Sequence, residues 1–587
     1  MEQWNLKEVY SSNEEFVKDI ELFKSKTKDF AQFEGKLGNK EDLEDYFKFE
    51  EKMDMWLSKM YSFGSMTYDT NLTNLESQAN MSKLQDSLMA YSQATSFVSD
   101  ELLKKSEETY IEWARQFDTI KANLYRINQL FHSKEHVLKP DVEKLLTLYN
   151  PVTGSFRSTY GLLESADTKP VEITLSDGKT VKFTKNNYTS LLMQYSNSQK
   201  DRKAIFEAYF KHYDDFKNTY AQLYKGVVDS DIARMKGRGY SNILDTFLDN
   251  NKISKDVYLT LLKTVHENTA PLKRYMEFRK KYFNLEEYHT YDRFLTISKE
   301  SVKYPYNYAR EEVLKALEPM GEDFVNHAKK AMADGHVDVY PHDGKRSGAY
   351  STEIEGFGPY ILLNHTNDLD SAFTLAHECG HSIHTQYSDE NQPYETKNYV
   401  IFVAEIASIF NENLFLDYLL QKSDDKAVKI QAIEKQINNI VSTFYRQALF
   451  ADFEYQAHEK ALSGSGLTYK DLCDIMADLY KTYYGIDLDT EPLKKYVWAY
   501  IPHIFSTPFY VYQYATCFSA SQQIFKDFKD GKPGTKEKYL DMLKAGGSDY
   551  PVEIVKKGGV DLTTAEPFKA VCDNLDHLLD ELEKLVA

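Results

Sequence analysis

Apolar residues recur every three to four positions through most of this chain, with charged residues between them, and that rhythm predicts helix after helix. Residues 13 to 135 read as long amphipathic helices of the kind seen in Glu41-Asp-Leu-Glu-Asp-Tyr-Phe-Lys-Phe-Glu50, strongly charged on one side. The period drops to two at Val171-Glu-Ile-Thr-Leu175 and again at Thr180-Val-Lys-Phe-Thr184, and the intervening Ser176-Asp-Gly-Lys179 is a turn, so a hairpin is predicted there. Helices resume from about 187 to 335. A second break runs from Val337 to Asn364, where glycine and proline punctuate alternating aromatic and aliphatic residues, and this predicts a small sheet. Three stretches follow from this pass: a helical region over 1–115, a helical segment with a hairpin over 116–190, and the remainder over 191–587.

Beyond the second break, Asn367-Asp368-Leu369-Asp370-Ser371 supplies N-cap candidates, and Ala372, Phe373, Leu375, Ala376 and Ile383 give a mostly apolar helix entering the interior. That helix carries His377-Glu378-Cys379-Gly380-His381. Two imidazoles four residues apart on a helix share one face, close enough for a single tetrahedral cation, and Glu378 projects to a neighbouring angle. There it could take a proton from a water activated by the metal. The bland alternative is an exposed histidine pair on a structural helix, but polar groups in so apolar a helix need partners. Gly380, a poor helix former, predicts close approach by another helix or by a substrate.

A third ligand must come from elsewhere. Metzincins would place glycine at 384 and histidine at 387, and those positions hold His384 and Tyr387. His384 lies about 10 Å along the axis from His377 at about 1.5 Å per residue, which makes it an outer or packing histidine. Glu405 is the better candidate: Phe402, Val403, Ile406, Ile409 and Phe410 surround it, and burying a carboxylate among them is costly unless a cation compensates. The alternative is the polar stripe of an amphipathic helix; Ser408 and Glu412 extend that stripe and could orient the ligands.

These residues resemble oligoendopeptidase F, of the thimet-oligopeptidase-like zinc metallopeptidases. The shared elements are HECGHSIH at 377 to 384, AEIASIFNE at 404 to 412, KRSGAY at 345 to 350, GPYILLN at 358 to 364 and IPHIFSTPFYVYQYAT at 501 to 516. Weaker similarity reaches Tyr291-Asp292, Arg234 to Ser241 and Trp4 to Tyr10, so it spans nearly the whole chain. Cys379 departs from the larger, often aromatic residue of many relatives; on a helix it points away from both histidines, which favours a packing role.

The resemblance implies a mainly α, multi-helix, two-lobed metallopeptidase with a deep substrate cleft and a small β-sheet beside the HExxH helix, with 191–587 as the catalytic domain. It implies one Zn2+ per chain on His377, His381 and Glu405, with Glu378 as general base for hydrolysis of short unstructured peptides at internal bonds. It also tips the strand Tyr360, Ile361, Leu362, Leu363, Asn364 from an ordinary packing hairpin towards a substrate edge that an extended peptide joins. Finally, it implies that His503 and a tyrosine, preferably Tyr510, donate to the tetrahedral intermediate. Thr507-Pro508 reads as an N-cap and first helical position, so a helix is predicted over about 508 to 528, with Tyr510 and Tyr514 on one face, Tyr512 opposite and His503 in the preceding loop. The competing readings are a peptidyl-dipeptidase or carboxypeptidase of the same superfamily, and a helical binding protein whose motif is accidental.

Composition narrows the partners. A net charge of −19 over 587 residues disfavours nucleic acid and anionic membranes and favours basic peptides. No run of 18 apolar residues occurs, and the opening Met1-Glu-Gln-Trp4 lacks a basic segment followed by an apolar one. Cys379, Cys473, Cys517 and Cys572 are scattered without a pairing pattern, as suits a reducing compartment, so cytoplasmic residence is expected.

Overall fold

The computed structural model describes residues 2–298 and 302–587. Its fold is mainly α, as the periodicity predicts. Two strands form the expected hairpin, β1 (Val171–Thr174) and β2 (Thr180–Phe183), antiparallel with Val171 opposite Phe183. Three more, β3 (Val337–Asp338), β4 (Tyr350–Ile354) and β5 (Gly358–Leu362), form a sheet in the order β3-β5-β4.

The chain packs into two compact units, each built from three segments. The first comprises Met1–Glu135, Ser301–Ala432 and Ser521–Asp561. Its N-terminal part is a bundle of α1 (Asn13–Lys26), α2 (Lys40–Thr70) and α3 (Leu75–Ala94). Ser12, Asn39 and Asn74 cap these helices by accepting backbone N–H groups of the first turn, the role for which short polar side chains are suited. Phe16, Phe23, Phe30, Tyr46 and Phe63 fill the core between them. The Trp4 indole N–H points at the carbonyls of His336 (3.1 Å) and Ile361 (2.9 Å), which ties the start of the chain to the sheet.

Across that sheet runs α4 (Leu369–Asn391), which lies against β4 and β5 and packs on α5 (Ile401–Lys422). Asp368 caps α4 by accepting from Ser371 N, as the sequence predicts. The sheet is braced from within by Lys345, whose ammonium is buried 2.6 Å from Asp338 and donates to the carbonyl of Tyr340.

β5 corrects one expectation. It is the central strand: Ile361 pairs with Val337 on one side and Ser351 on the other, and Ile361 N and Leu363 N donate to His336 O and Asp338 O. Tyr360, Ile361, Leu362 and Leu363 are buried, and the Asn364 amide donates to the carbonyls of Arg346 and Gly348. A strand with both edges occupied cannot accept a peptide, so Tyr360 to Asn364 is not the substrate edge. The strand paired on one side only and packed against α4 is β4.

The second unit comprises His136–Glu300, Ile433–Ala520 and Leu562–Ala587. It holds the hairpin, α6 (Arg446–Leu462) with the π-helical turn Ile440–Tyr445 leading into it, and a buried ion pair in which Arg202 donates to Asp292 at 2.9 and 2.7 Å. Among the described residues no helix is long and apolar enough to cross a membrane.

Candidate metal centre

Gly380 determines how closely α4 and α5 approach. A Cβ at this position would stand 2.6 Å from both the Ala407 carbonyl oxygen and Ser408 Cα, nearer than any real contact, so the second helix is what approaches the glycine. The approach brings Glu405, just past the first turn of α5, opposite His377 and His381. His377 Nε2 lies 3.3 Å and His381 Nε2 3.5 Å from Glu405 Oε2. Among the described residues this is the one trio of His, Cys, Asp or Glu side chains whose ligand atoms all lie within 4.8 Å of one another.

Those separations are informative. Charge-assisted N–H···O bonds close to about 2.7–2.9 Å. Two ligands about 2.0–2.1 Å from a tetrahedral zinc stand roughly 3.3 Å apart. The spacing is therefore long for hydrogen bonds and fits a shared cation.

The surroundings orient each donor. His377 Nδ1 lies 2.6 Å from Glu412 Oε1, which keeps a proton on Nδ1 and turns Nε2 towards Glu405. The Ser408 hydroxyl, fully buried, donates to Glu405 Oε2 at 2.9 Å. Burial opposes charge on His377, but Glu405 and Glu412 prevail and hold its imidazole well above the usual histidine range. Burial also opposes charge on Glu405, and there the two imidazoles prevail, holding the carboxyl well below its usual range. Glu378 is buried, which raises its pKa against the pull of His377 and His381.

Other residues divide. His384 is fully buried, stacked 3.6 Å from Tyr399 at 6°, and neither ring nitrogen has a hydrogen-bond partner. Burial, then His381, pushes its pKa down to about 3. It packs as a neutral ring and, lacking a hydrogen bond to any ligand, orients none. Cys379 is buried with its thiol pushed up to about 12 by burial, as expected of a packing residue. Tyr399 escaped the sequence reading; its hydroxyl reaches Thr385 Oγ1 at 3.0 Å and the His381 carbonyl at 3.5 Å. The signal available for it was His384, a buried ring that needs a flat neighbour.

His503, Tyr510 and Tyr514 belong to the second unit and gather there. The rings of Tyr510 and Tyr514 each lie 6.2 Å from that of His503, and 5.5 Å from each other. The helix boundary differs from the prediction. His503 opens a one-turn helix, His503–Ser506, that Thr507 closes; Phe509 adopts φ +56°, and α7 begins only at Tyr512 (Tyr512–Lys529). A left-handed residue cannot continue a right-handed helix, so Thr507-Pro508 ends one turn and does not start the next. Tyr512 nevertheless points the other way, buried against Tyr258. Burial pushes the His503 imidazole down, towards the neutral form.

Comparison with known proteins decides the family. The description "Peptidase family M3" matches residues 192–573, and that of the oligopeptidase F N-terminal region matches 101–169. The chain belongs to peptidase family M3. This M3 chain is similar to oligopeptidase PepF of Bacillus subtilis, 34% identical over 99% of this chain and 87% of that protein. It is equally similar, at 34%, to an oligoendopeptidase F homolog of Borreliella burgdorferi, over 100% of this chain and 98% of that one. The crystal structure of oligoendopeptidase-F from Enterococcus faecium superposes with a TM-score of 0.74 at 28% identity, covering 98% of this chain and 99% of that chain. The M3 chain is thus a metallopeptidase of the oligopeptidase type with the helical fold of its family.

Proposed function

We propose that this M3 peptidase is a zinc-dependent endopeptidase of short, unstructured oligopeptides, with His377, His381 and Glu405 holding one zinc per chain and Glu378 acting as general base. The observation that carries the reading is the 3.3 and 3.5 Å convergence of two imidazole nitrogens on one carboxylate oxygen, with His377 fixed from behind by Glu412.

His377, His381 and Glu405 would hold the zinc, which would supply Lewis acidity to a scissile carbonyl and to an attacking water, whose pKa would move towards about 7. Glu378, one residue from the first histidine and raised in pKa by burial, accepts a proton from the attacking water and returns it to the departing amine. Glu412 keeps the His377 lone pair directed at the centre, and Ser408 holds Glu405 in one rotamer. His503 and Tyr510 serve as donors to the developing oxyanion, where one well-aimed donor contributes about 3 kcal/mol.

The substrate joins the free side of β4 as an added strand, so recognition runs through the backbone and tolerates many side chains. Only a chain already extended can pair in this way, and opening a folded domain would cost several kcal/mol first. Working at internal bonds in the cytoplasm on peptides, the enzyme needs neither nucleic acid nor membrane.

The test uses an unstructured peptide of about ten residues blocked at both ends. Internal cleavage is expected, lost on chelation and restored by zinc, and slowed at least tenfold when alternate backbone nitrogens are methylated. Cleavage confined to peptides with a free terminus would replace this reading with a peptidyl-dipeptidase or carboxypeptidase.

A further inference from the structure

The second unit contains a cavity of about 290 Å³ lined by four cationic side chains; Arg279 donates to the carbonyls of Asp292, Arg293 and Leu295 and lies 4.0 Å from Glu434, which leaves Arg293, Arg446 and Lys494. All three are half-buried. Among the described residues, no carboxylate comes within ion-pair distance of any of them. The acids nearby are committed elsewhere. Glu491 accepts from Thr290 N at 2.9 Å and from the Thr290 hydroxyl at 2.6 Å. Asp292 accepts from Arg202 at 2.9 and 2.7 Å and from Gln199 at 2.8 Å. Glu434 accepts from the backbone of Ile297 and Ser298.

Like charges gathered in a partly desolvated wall repel, and each disfavours protonation of its neighbours. Burial first, then Arg446 and Arg293, push the Lys494 ammonium down to about 7 against the opposing pull of Glu491. Burial and then Arg446 lower Arg293 as well. A folded protein that keeps three such groups facing one space forgoes stability there unless something anionic fills it.

The wall is also built irregularly. Val441 and Ser442 reach the cavity from the π-helical turn Ile440–Tyr445, and Arg446 follows it directly. Single π turns inside helices are rare and concentrate at functional sites, because the extra residue re-aims the side chains around it. Beside the cations stand Tyr480 and Tyr484, their rings 5.3 Å apart at 22° and Lys494 Nζ 5.8 Å from the Tyr480 ring centroid, with hydroxyls that burial keeps protonated and able to donate. At about 30 Å³ per water the space equals some ten waters, enough for a charged group with a small body attached.

We propose that this cavity is a binding site for a small polyanion of the phosphate or carboxylate class, whose charges face Arg293, Arg446 and Lys494 and whose body lies against Tyr480 and Tyr484. The site is built entirely from the second unit and shares no residue with the trio in the first. Its occupancy stabilises that unit by mass action and does not depend on the zinc chemistry.

Titration calorimetry on the full-length, zinc-loaded protein at pH 7 tests this, with inorganic phosphate in one arm and succinate in the other, each against sodium chloride at matched ionic strength. Saturable binding of one ion per chain is expected in at least one arm, and the tighter arm identifies the class. Arg446→Met and Lys494→Met should each weaken binding tenfold or more, and ligand-free Arg446→Met should melt no lower than the parent because repulsion has been removed. If Arg446→Met fails to fold, the Lys494→Met comparison stands alone. Absence of saturable binding in both arms, undiminished binding in the folded variants, or an equal response to chloride would overturn the proposal.

Discussion

Glu412 decides which nitrogen of His377 is available, and Ser408 decides where Glu405 points, so the trio is oriented before any cation arrives. Removing one ligand should therefore have a sharper effect than its small area suggests. In Glu405→Ala, two imidazoles remain on one helix face, a site too poor to hold zinc through dialysis, and peptidase activity should fall with zinc content while the fold persists. Metal analysis and activity of that variant check the assignment; full retention of both would remove Glu405 from the set. At this scale the sequence was informative because His377, Glu378 and His381 lie within a little over one helical turn, where spacing alone fixes the face. Glu405 was readable from the apolar residues around it. Tyr399 was not, since its ring meets His384 only through the course of the chain between α4 and α5.

Between elements, the decisive contact is a glycine against a backbone. Alanine is the better helix former by about 1 kcal/mol, so helix propensity alone predicts that Gly380→Ala stabilises. The added methyl would sit 2.6 Å from Ala407 O and Ser408 Cα, atoms that cannot swing aside, and overpacking costs about 1–3 kcal/mol. The clash wins: the variant should melt lower and bind zinc more weakly as α5 is pushed from α4. A melting temperature at or above the parent would show that the helices have room to part. Helix existence and the hairpin turn were legible from periodicity, and Gly380 announced a close neighbour. The position of β5 was not legible, because strand order depends on the parallel pairing of β3 with β5 across the intervening residues 339–357. Nor was the start of α7, where a left-handed Phe509 interrupts a sequence that otherwise reads as a helix N-terminus.

Across the molecule, stability should carry a pH signature from the second unit. Glu454 is fully buried; one oxygen accepts from Phe509 N at 3.0 Å and the other has no partner. Burial, with Asp231 adding to it against the Phe509 hydrogen bond, raises its pKa to about 8. Between the unfolded pKa of about 4.3 and the folded value, the native state binds more protons than the unfolded state, so this contribution falls as pH rises and levels off above about 8. Glu454→Gln should flatten that slope, and relative to the parent the variant should gain stability on going from pH 5 to pH 8.5. Denaturant melts at the two pH values check it; an unchanged pH dependence would mean that Glu454 is ionised in the fold. The consecutive stretches read from the hydrophobic pattern, 1–115, 116–190 and 191–587, describe the chain in order, whereas the two compact units describe packing between distant segments, which no local pattern encodes.

The most direct test of the central claim is Glu378→Gln, assayed for zinc content and for kcat on a doubly blocked peptide. The amide nearly matches the carboxylate in size, leaves the trio untouched and cannot take a proton from water. Zinc at one per chain with kcat lowered about 100- to 10,000-fold is the expected result. Zinc retained with kcat within about tenfold of the parent, a barrier change near 1.4 kcal/mol, would contradict the role of Glu378 as general base.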